Sequence, residues 1–399
     1  MTIVTAEIMV NAPIKFSYRA FTSSTSLREW LCDVATVEPH PQGRMYMWWR
    51  GDFYSSGHYL ELEENKRVKF RWFSNIDPAP TEVTVTFTEI GNSVGILLEH
   101  EVPDGSLWKE AADSFHQNWV ESLDNLKSIL ETGIDLRIAN RPMLGILPGD
   151  FTDEQAAVLK IPVREGMRLD GVVEGMGAQN CGLQRDDVIV EMAGHPITRD
   201  FNTLPIAIAG KKGGDRIEVV YYRGEEKKTV TMELSKRPMP DVPFNPDEFE
   251  KRVRQLLEPA LAELEKAFEG FSDEQAMARP EPNEWSALEI VAHLISGERF
   301  NVNLLTSLID GYEIVTDGFG TNIHAQVQAT VKAHPSINLM LGALRSAVDE
   351  LLAYIALIPE EFVENKGSYH RFAFGILQPD FHLNAHLQQI KDALAAARK

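Results

Sequence analysis

The sequence predicts a multidomain α+β protein whose three parts differ in their hydrophobic patterns. In the first 135 residues, short alternating apolar runs precede one long amphipathic stretch, which is typical of an antiparallel sheet with a helix packed against it. Residues 138–237 are again rich in strand-like runs, whereas residues 247–399 carry four long stretches with helical spacing. Residues 238–246 contain four prolines and are expected to form a stiff, extended linker.

Length, charge and cysteine content exclude several classes of protein. A chain of 399 residues is too long for one hydrophobic core, so several domains are expected. Its formal net charge of −20 disfavours non-specific binding to nucleic acid or to an anionic membrane. The two cysteines, Cys32 and Cys181, fall in different parts, so we expect no disulfide framework and a reducing cytoplasm. The sequence also lacks a signal-peptide pattern and any apolar run near the ~20 residues that span a bilayer.

The first part, residues 1–135, is predicted to contain strands, two short helices and one long helix. A strand over residues 6–10 is followed by helical pieces over residues 14–21 and 26–31. Turn residues then separate five strand-like runs, at residues 44–50, 57–62, 67–73, 82–89 and 94–102. The long helix, over residues 107–131, has apolar residues at every third or fourth position.

This order of elements resembles the helix-grip fold of the SRPBCC (START-like) superfamily, in the branch related to the Hsp-ninety ATPase activator. The stretches that carry the resemblance are Val10–Pro13, Trp30-Leu31, Gly43–Tyr46 and the helix around Trp119. The resemblance implies an apolar cavity for a small ligand between a curved sheet and the long helix. The aromatic residues expected to line it are Trp48, Trp49, Trp72, Phe73, Phe115 and Trp119. The same aromatics could simply pack the core, which is their commoner role.

The second part, residues 138–237, carries turn motifs in a specific order. They are a Leu-Gly-Ile loop at residues 144–146, a G-L-Q-x-D-D-V-I turn and strand at residues 182–189, a G-x-x-I turn at residues 194–197, and a closing hairpin at Gly224. This order resembles a mainly-β PDZ domain of the bacterial, protease-associated type. Asp186 departs from the family pattern, which has glycine there, so the turn is expected to be tighter or to differ in conformation.

The PDZ resemblance implies that an extended peptide adds to a sheet edge and that backbone N–H groups hold its C-terminal carboxylate. By that resemblance, the carboxylate would bind Leu144, Gly145 and Ile146. A helix over residues 201–209 would form the opposite wall of the groove, with Leu204 and Ile208 facing inward. The alternative is a domain used only as a spacer or for internal docking.

One insertion could decide between these two roles of the second part. Residues 148–166 carry Thr152 and Gln155 at capping-box spacing and are expected to form a short helix. If this helix lies over the groove, a peptide cannot enter.

The third part, residues 247–399, is predicted to be an all-α four-helix bundle. Its helices are expected over residues 247–270, over 286–309, after Pro335, and over 380–396. Ser286 and Glu289 have the spacing of a capping box, which indicates the start of the second helix.

Three histidines of the bundle have the spacing of a metal site. His382 and His386 are four residues apart and share a helix face, and His293 lies in the second helix. Neutral imidazole is a favoured ligand of Zn²⁺ and Ni²⁺, and three histidines leave positions open for water or substrate. The alternative is a polar helix face without a metal. Glu298 and Asp380 are candidate hydrogen-bond partners of the imidazoles.

The same residues resemble the DinB-like (YfiT-like) superfamily. The resemblance rests on Trp285-Ser286 through His293-Leu294 and on the H-x-x-x-H pair of the last helix. It implies a divalent metal, Zn²⁺ or Ni²⁺, held by His293, His382 and His386.

Two functions are therefore expected. The first is a metal-binding enzyme, either a thiol-dependent transferase or a metal-dependent hydrolase, with no catalytic residue or substrate assigned. The alternative is a non-catalytic binding or scaffold protein, which uses the cavity for an apolar small molecule and the groove for the C-terminus of a peptide or protein. Neither function involves nucleic acid or a membrane, and both leave oligomer formation open.

Overall fold

The computed structural model describes residues 1–312, 323–378 and 382–398, apart from the side chains of residues 107, 382, 384 and 385. It divides into two compact units. One unit combines Met1–Asp135 with Pro240–Lys399, and the other is Leu136–Met239. Within the described ranges, no helix is both long and apolar enough to cross a membrane.

The N-terminal domain, Met1–Asp135, is a seven-stranded antiparallel sheet with one long helix. The strand order is β1-β7-β6-β5-β4-β3-β2. The elements are β1 (Thr2–Val10), α1 (Ile14–Thr22), α2 (Ser24–Trp30), β2 (Val34–Val37), β3 (Arg44–Trp49), β4 (Phe53–Glu63), β5 (Arg67–Ser74), β6 (Thr81–Ile90), β7 (Ser93–Val102) and α3 (Ser106–Thr132). Strand β2 has only four residues at a sheet edge, an alternation too short to be recognised in the sequence.

The long helix α3 lies along the open edge of β1. The His116 Nδ1–H donates to the Thr5 carbonyl at 3.0 Å, and the Lys127 ammonium donates to the Met9 carbonyl at 2.9 Å. The carboxylate of Glu131 accepts from the Asn11 N–H at 2.8 Å. These side chains satisfy backbone groups that an edge strand otherwise exposes.

The middle unit, Leu136–Met239, is built on a second antiparallel sheet, in the order β13-β12-β10-β9-β8, with β11 paired to β10. Its elements are α4 (Leu136–Ala139), β8 (Ile146–Gly149), α5 (Asp153–Val158), β9 (Met167–Val172), α6 (Gly177–Asn180), β10 (Val188–Met192), β11 (His195–Pro196), α7 (Thr203–Ala207), β12 (Arg216–Arg223) and β13 (Glu226–Glu233). The capping box of Thr152 and Gln155 is formed at the start of α5. Asp186 keeps a positive φ of 69°, and the Arg168 guanidinium pairs with its carboxylate at 2.8 Å.

The insertion that contains α5 packs on the sheet face opposite to the main core of this unit. Phe151, Ala156 and Ile161 cluster with Val188, whereas the neighbouring Ile189 belongs to the core that includes Leu204 and Ile208. Since successive residues of a strand face opposite sides, this part of the insertion packs on the face opposite to Leu204. The insertion also contacts the segment before α7, where Arg199 pairs with Asp153. The idea that residues 148–166 lie over the groove stays a prediction.

The C-terminal helices close into a four-helix bundle. Its long helices are α8 (Pro246–Ala267), α10 (Ala287–Ile309), α12 (Ile337–Ala356) and α15 (His382–Ala396); α8 and α10 each contact both α12 and α15. The shorter helices are α9 (Asp273–Met277), α11 (Ile323–Ala333), α13 (Glu360–Glu364) and α14 (Lys366–Ile376). The Tyr369 hydroxyl donates to the Pro243 carbonyl at 2.8 Å, so this end of the proline-rich stretch is fixed to the bundle.

Helix α14 packs the bundle against α2 and α3 of the N-terminal domain. The Lys366 ammonium donates to the Glu131 carbonyl at 2.6 Å, and the Ser368 hydroxyl donates to the buried Glu29 carboxylate. A Cβ on Gly133 would lie 2.3 Å from the Cβ of His370. Such close approach explains why the two segments form one compact unit.

Candidate metal and ligand sites

Two of the three predicted metal ligands converge in the bundle. The capping box of Ser286 and Glu289 begins α10, and His293 follows within the same helix. The His293 and His386 rings, from different helices, have centres 5.2 Å apart at 85°. A tetrahedral ion about 2.1 Å from one nitrogen of each ring would hold the ring centres about 5 Å apart. The observed spacing therefore fits two imidazole ligands of one ion.

Neighbouring side chains orient these two imidazoles. The His386 Nδ1–H donates to the Gln389 side-chain oxygen at 2.8 Å, and this contact fixes the orientation of the ring. The Trp285 ring centre lies 5.1 Å from that of His293. Burial, and secondarily the charge of His386, lower the pKa of His293 and so favour the neutral form that binds metals. Gln389 carried no signal in the sequence that distinguished it from other polar residues of a helix surface.

The third predicted ligand, His382, begins α15, but its side chain lies outside the described residues. Asp380 also lies outside them. Among the residues whose side chains the structure describes, no group of three or more His, Cys, Asp or Glu is placed to hold a metal ion. The third ligand therefore stays a prediction from the four-residue spacing.

Glu298 is a buried carboxyl within the bundle. Its side chain is 1% exposed, one oxygen accepts from the Asn301 amide at 3.3 Å, and the other has no hydrogen-bond partner in the described part of the chain. Burial raises the pKa of Glu298 to about 7. In the described part of the chain its hydrogen bond goes to its own helix, and its role as a partner of an imidazole stays a prediction.

Four of the six predicted cavity aromatics, Trp49, Trp72, Phe115 and Trp119, cluster on the inner side of the sheet of the N-terminal domain. The Trp72 ring packs edge-on against Trp119, with ring centres 5.4 Å apart, and at a tilt against Trp49, with ring centres 5.9 Å apart. Phe115 packs on His100 with ring centres 4.3 Å apart. Trp48 and Phe73 face the other side of the sheet, because each alternates with a core residue along its strand. This places them outside the set of lining residues.

Both ring nitrogens of His100 form hydrogen bonds within this cluster. The Trp119 indole N–H donates to His100 Nδ1 at 3.2 Å, so the ring proton is on Nε2, which donates to the Thr81 hydroxyl at 2.7 Å. Thr81 in turn donates to the Trp72 carbonyl at 3.2 Å. Burial lowers the pKa of His100 to about 3, so the ring stays neutral. Its inward position follows from the alternation of the strand over residues 94–102.

The predicted carboxylate loop of the middle unit precedes the edge strand β8. Gly145 has φ of 71°, and a Cβ there would lie 2.3 Å from the Cβ of Met176. Leu204 is buried and Ile208 half-buried, and both pack in the core that Leu144 and Ile146 flank. Helix α7 is shorter than the predicted stretch of residues 201–209.

The fold thus defines a multidomain α+β protein with a sheet-rich N-terminal domain and a helical C-terminal region. Residues 11–131 match the family model described as activator of Hsp90 ATPase homolog 1-like protein. Residues 256–390 match the model of the DinB superfamily. The chain therefore contains a START-like domain of the Hsp90-activator-homolog type and a DinB-like domain, and this part of the prediction is confirmed.

One curated relative is a probable periplasmic serine endoprotease DegP-like of Marinomonas sp. (strain MWYL1). It is 25% identical over 131 residues, which is 33% of this chain and 28% of the relative. The match therefore spans little more than a quarter, 28%, of that relative's length.

Solved structures with similar parts include three bacterial proteins. Protein MLL2253 from Mesorhizobium loti is 20% identical, with 32% of this chain and 96% of that chain covered and a TM-score of 0.30. The Aha1 dimer from Colwellia psychrerythraea is 18% identical, with 33% and 97% covered and a TM-score of 0.30. CalU16 from Micromonospora echinospora is 20% identical, with 32% and 73% covered and a TM-score of 0.28.

Proposed function

We propose that the DinB-like domain binds a divalent metal, Zn²⁺ or Ni²⁺, through His293, His382 and His386, and acts as a metal-dependent enzyme. The observation that carries this proposal is the pair of imidazoles, from two helices, with ring centres 5.2 Å apart. The half-buried position of both rings and the lowered pKa of His293 support it, because a metal needs a neutral imidazole and a route from solvent.

The residues of this chain would prepare the site in three ways. Gln389 fixes the ring of His386, Trp285 forms a wall against His293, and an open cleft beside them gives access. The chemistry that a bound divalent ion supplies is Lewis-acid activation of a thiol or of water near neutral pH. A thiol-dependent transferase or a metal-dependent hydrolase fits that chemistry, with the cleft lined by Asn283, Glu284 and Trp285 as the place for a substrate.

Metal analysis of the purified full chain tests this function. We expect about one Zn²⁺ or Ni²⁺ per chain and, after treatment with a chelator, one binding event on titration with either ion. Proton release on binding should grow as pH falls toward the histidine range, because the ion competes with protons for the imidazoles. Failure of the stripped protein to take up either ion overturns the proposal.

We also propose that the other domains act as binding modules, and this is the alternative function if the bundle holds no metal. We assign residues 138–237 as a PDZ domain that binds a peptide C-terminus through the N–H groups of Leu144, Gly145 and Ile146. The edge position of β8, the positive φ of Gly145 and the partial match to a DegP-like protease support this assignment. Fluorescence anisotropy should show binding of labelled apolar C-terminal peptides and none of the same peptides with an amidated C-terminus.

The N-terminal domain would bind an apolar small molecule on the inner face of its sheet, where Trp72, Phe115 and Trp119 meet. The concentration of aromatic side chains there supports this role. Saturable quenching of tryptophan fluorescence by small apolar compounds tests it.

A further inference from the structure

Two polar atoms on the inner face of the N-terminal sheet have no hydrogen-bond partner in the described part of the chain. They are the indole nitrogen of Trp72 and the hydroxyl oxygen of Ser55. The residues are only 5% and 1% exposed, respectively. Buried polar groups in native proteins are nearly always satisfied by protein, by ordered water or by a ligand. These two atoms therefore offer hydrogen-bonding positions that an ordered water or a ligand can fill.

The two atoms belong to neighbouring strands and face the same side. Ser55 of β4 pairs with Ser74 of β5, and Trp72 lies two residues before Ser74. Residues two apart on a strand point to the same face, so Ser55 and Trp72 are diagonal neighbours on the inner face. At such spacing both side chains can approach one small molecule.

The surrounding groups define the charge of that molecule. The Trp119 indole, His100 and Thr81 use their polar atoms in the directed chain of hydrogen bonds that ends at the Trp72 carbonyl. Because Nδ1 of His100 accepts a hydrogen bond from Trp119, only Nε2 carries a proton and the imidazole is neutral. Trp49 and Phe115, which belong to the same aromatic cluster, are also uncharged. A charged ligand would lose its hydration and meet no opposite charge from these groups, so the environment selects against ions.

The unpaired atoms define the ligand's polar group. An indole N–H can only donate, so its partner must carry an acceptor, and a hydroxyl can donate a second bond to the same acceptor. We propose that the inner face of this sheet binds a small, uncharged and largely apolar molecule with a carbonyl-type acceptor, such as a ketone, an ester or an amide, and that Trp72 and Ser55 donate hydrogen bonds to it. This assignment rests on the proposed ligand-binding role of the domain and names the ligand class.

The indole N–H signals of the full chain provide the test by nuclear magnetic resonance. The sequence has seven tryptophans, and a Trp72→Phe variant assigns the signal of Trp72. The probes are 2-heptanone, heptane without an acceptor, and heptanoate with a charge. We expect 2-heptanone to move the Trp72 indole proton downfield in a saturable manner. Heptane should cause no such downfield shift, and heptanoate near pH 7.5 should bind at least about tenfold more weakly.

A second variant and an internal reference make the test specific. Ser55→Ala should weaken 2-heptanone binding about threefold and leave heptane binding unchanged, since only one hydrogen bond is lost. The Trp49 indole already donates to the Leu31 carbonyl at 2.6 Å, so its signal should not show the downfield shift.

The possible results separate this inference from the broader binding role. Equal affinity for heptane and 2-heptanone, unaffected by either variant, would preserve an apolar site and overturn the acceptor assignment. No binding of any probe would overturn both. The Trp72 indole proton could instead exchange magnetisation with a long-lived internal water and show no shift with 2-heptanone. In that case water alone satisfies these atoms, which also overturns the inference.

Discussion

His100 in the N-terminal domain and His293 in the bundle have contrasting surroundings within one compact unit. Both ring nitrogens of His100 are engaged, by Trp119 and by Thr81, and the residue is completely buried. His293 is only half-buried, and its nearest described ring neighbours are an indole and the imidazole of His386. Burial lowers the pKa of both rings, so burial alone does not distinguish them. The difference lies in the neighbouring groups, and these decide which histidine is a candidate metal ligand.

The largest expected effect is on metal binding. His386→Ala should weaken Zn²⁺ binding by about a thousandfold, because one imidazole of the proposed three-histidine site is removed. His324→Ala is the matched control, since this histidine is exposed on α11. Isothermal titration with chelator-treated protein measures both. If His386→Ala binds Zn²⁺ like the unchanged chain, the convergence of the two rings has no role in metal binding.

The next effect is on folding. His100→Leu should lower the free energy of unfolding by about 3 kcal/mol, because the Trp119 indole loses its acceptor and the Thr81 hydroxyl its donor inside the core. Urea denaturation measures the change. His116→Leu, which removes one bond at the protein surface to the Thr5 carbonyl, should cost less than about 1 kcal/mol. Equal losses in the two variants would contradict the role assigned to the buried network.

The buried carboxyl of Glu298 gives a pH-dependent effect. Its folded-state pKa of about 7 lies above the ordinary value of 4.5. The folded state therefore favours the protonated form, and its contribution to stability falls as pH rises from about 4.5 to 7 and then stays constant. Glu298→Gln should raise the free energy of unfolding by about 2 kcal/mol near pH 8 and hardly change it near pH 4.

Two denaturation series, one near each pH, measure the Glu298 effect. Exposed Glu274 on α9, changed to glutamine, is the matched control and should give little difference at either pH. A gain of equal size at both pH values would show that the pKa of Glu298 is not raised by folding.

Some features of the fold and of the two histidine environments can be predicted from the sequence, and others cannot. The sheet-rich first part and the helical last part follow from alternation and from helical spacing, which are local properties of the chain. His293 and His386 stood out because a capping box and a four-residue spacing fix their helix faces. Burial is set by packing between distant segments, and spacing alone gives no sign of the raised pKa of Glu298 or the unpaired indole of Trp72. The direction of the hydrogen bonds around His100 depends on three strands and a helix, so it too needed the structure.

The smallest expected effect concerns a residue that touches an imidazole without being a ligand. Gln389→Leu should weaken Zn²⁺ binding about tenfold, because the His386 ring loses the acceptor that orients it. Gln389→Glu should retain or strengthen binding, since a carboxylate also accepts from Nδ1 and raises the basicity of the ring. Gln388→Leu, on the adjacent position of α15 with its amide bonded to Asp392, is the control and should leave affinity unchanged. If the affinity for Zn²⁺ rises stepwise from the leucine variant through the unchanged chain to the glutamate variant, the function of this contact is to orient the His386 ring. Equal affinities would mean that the bundle fixes the ring by packing alone.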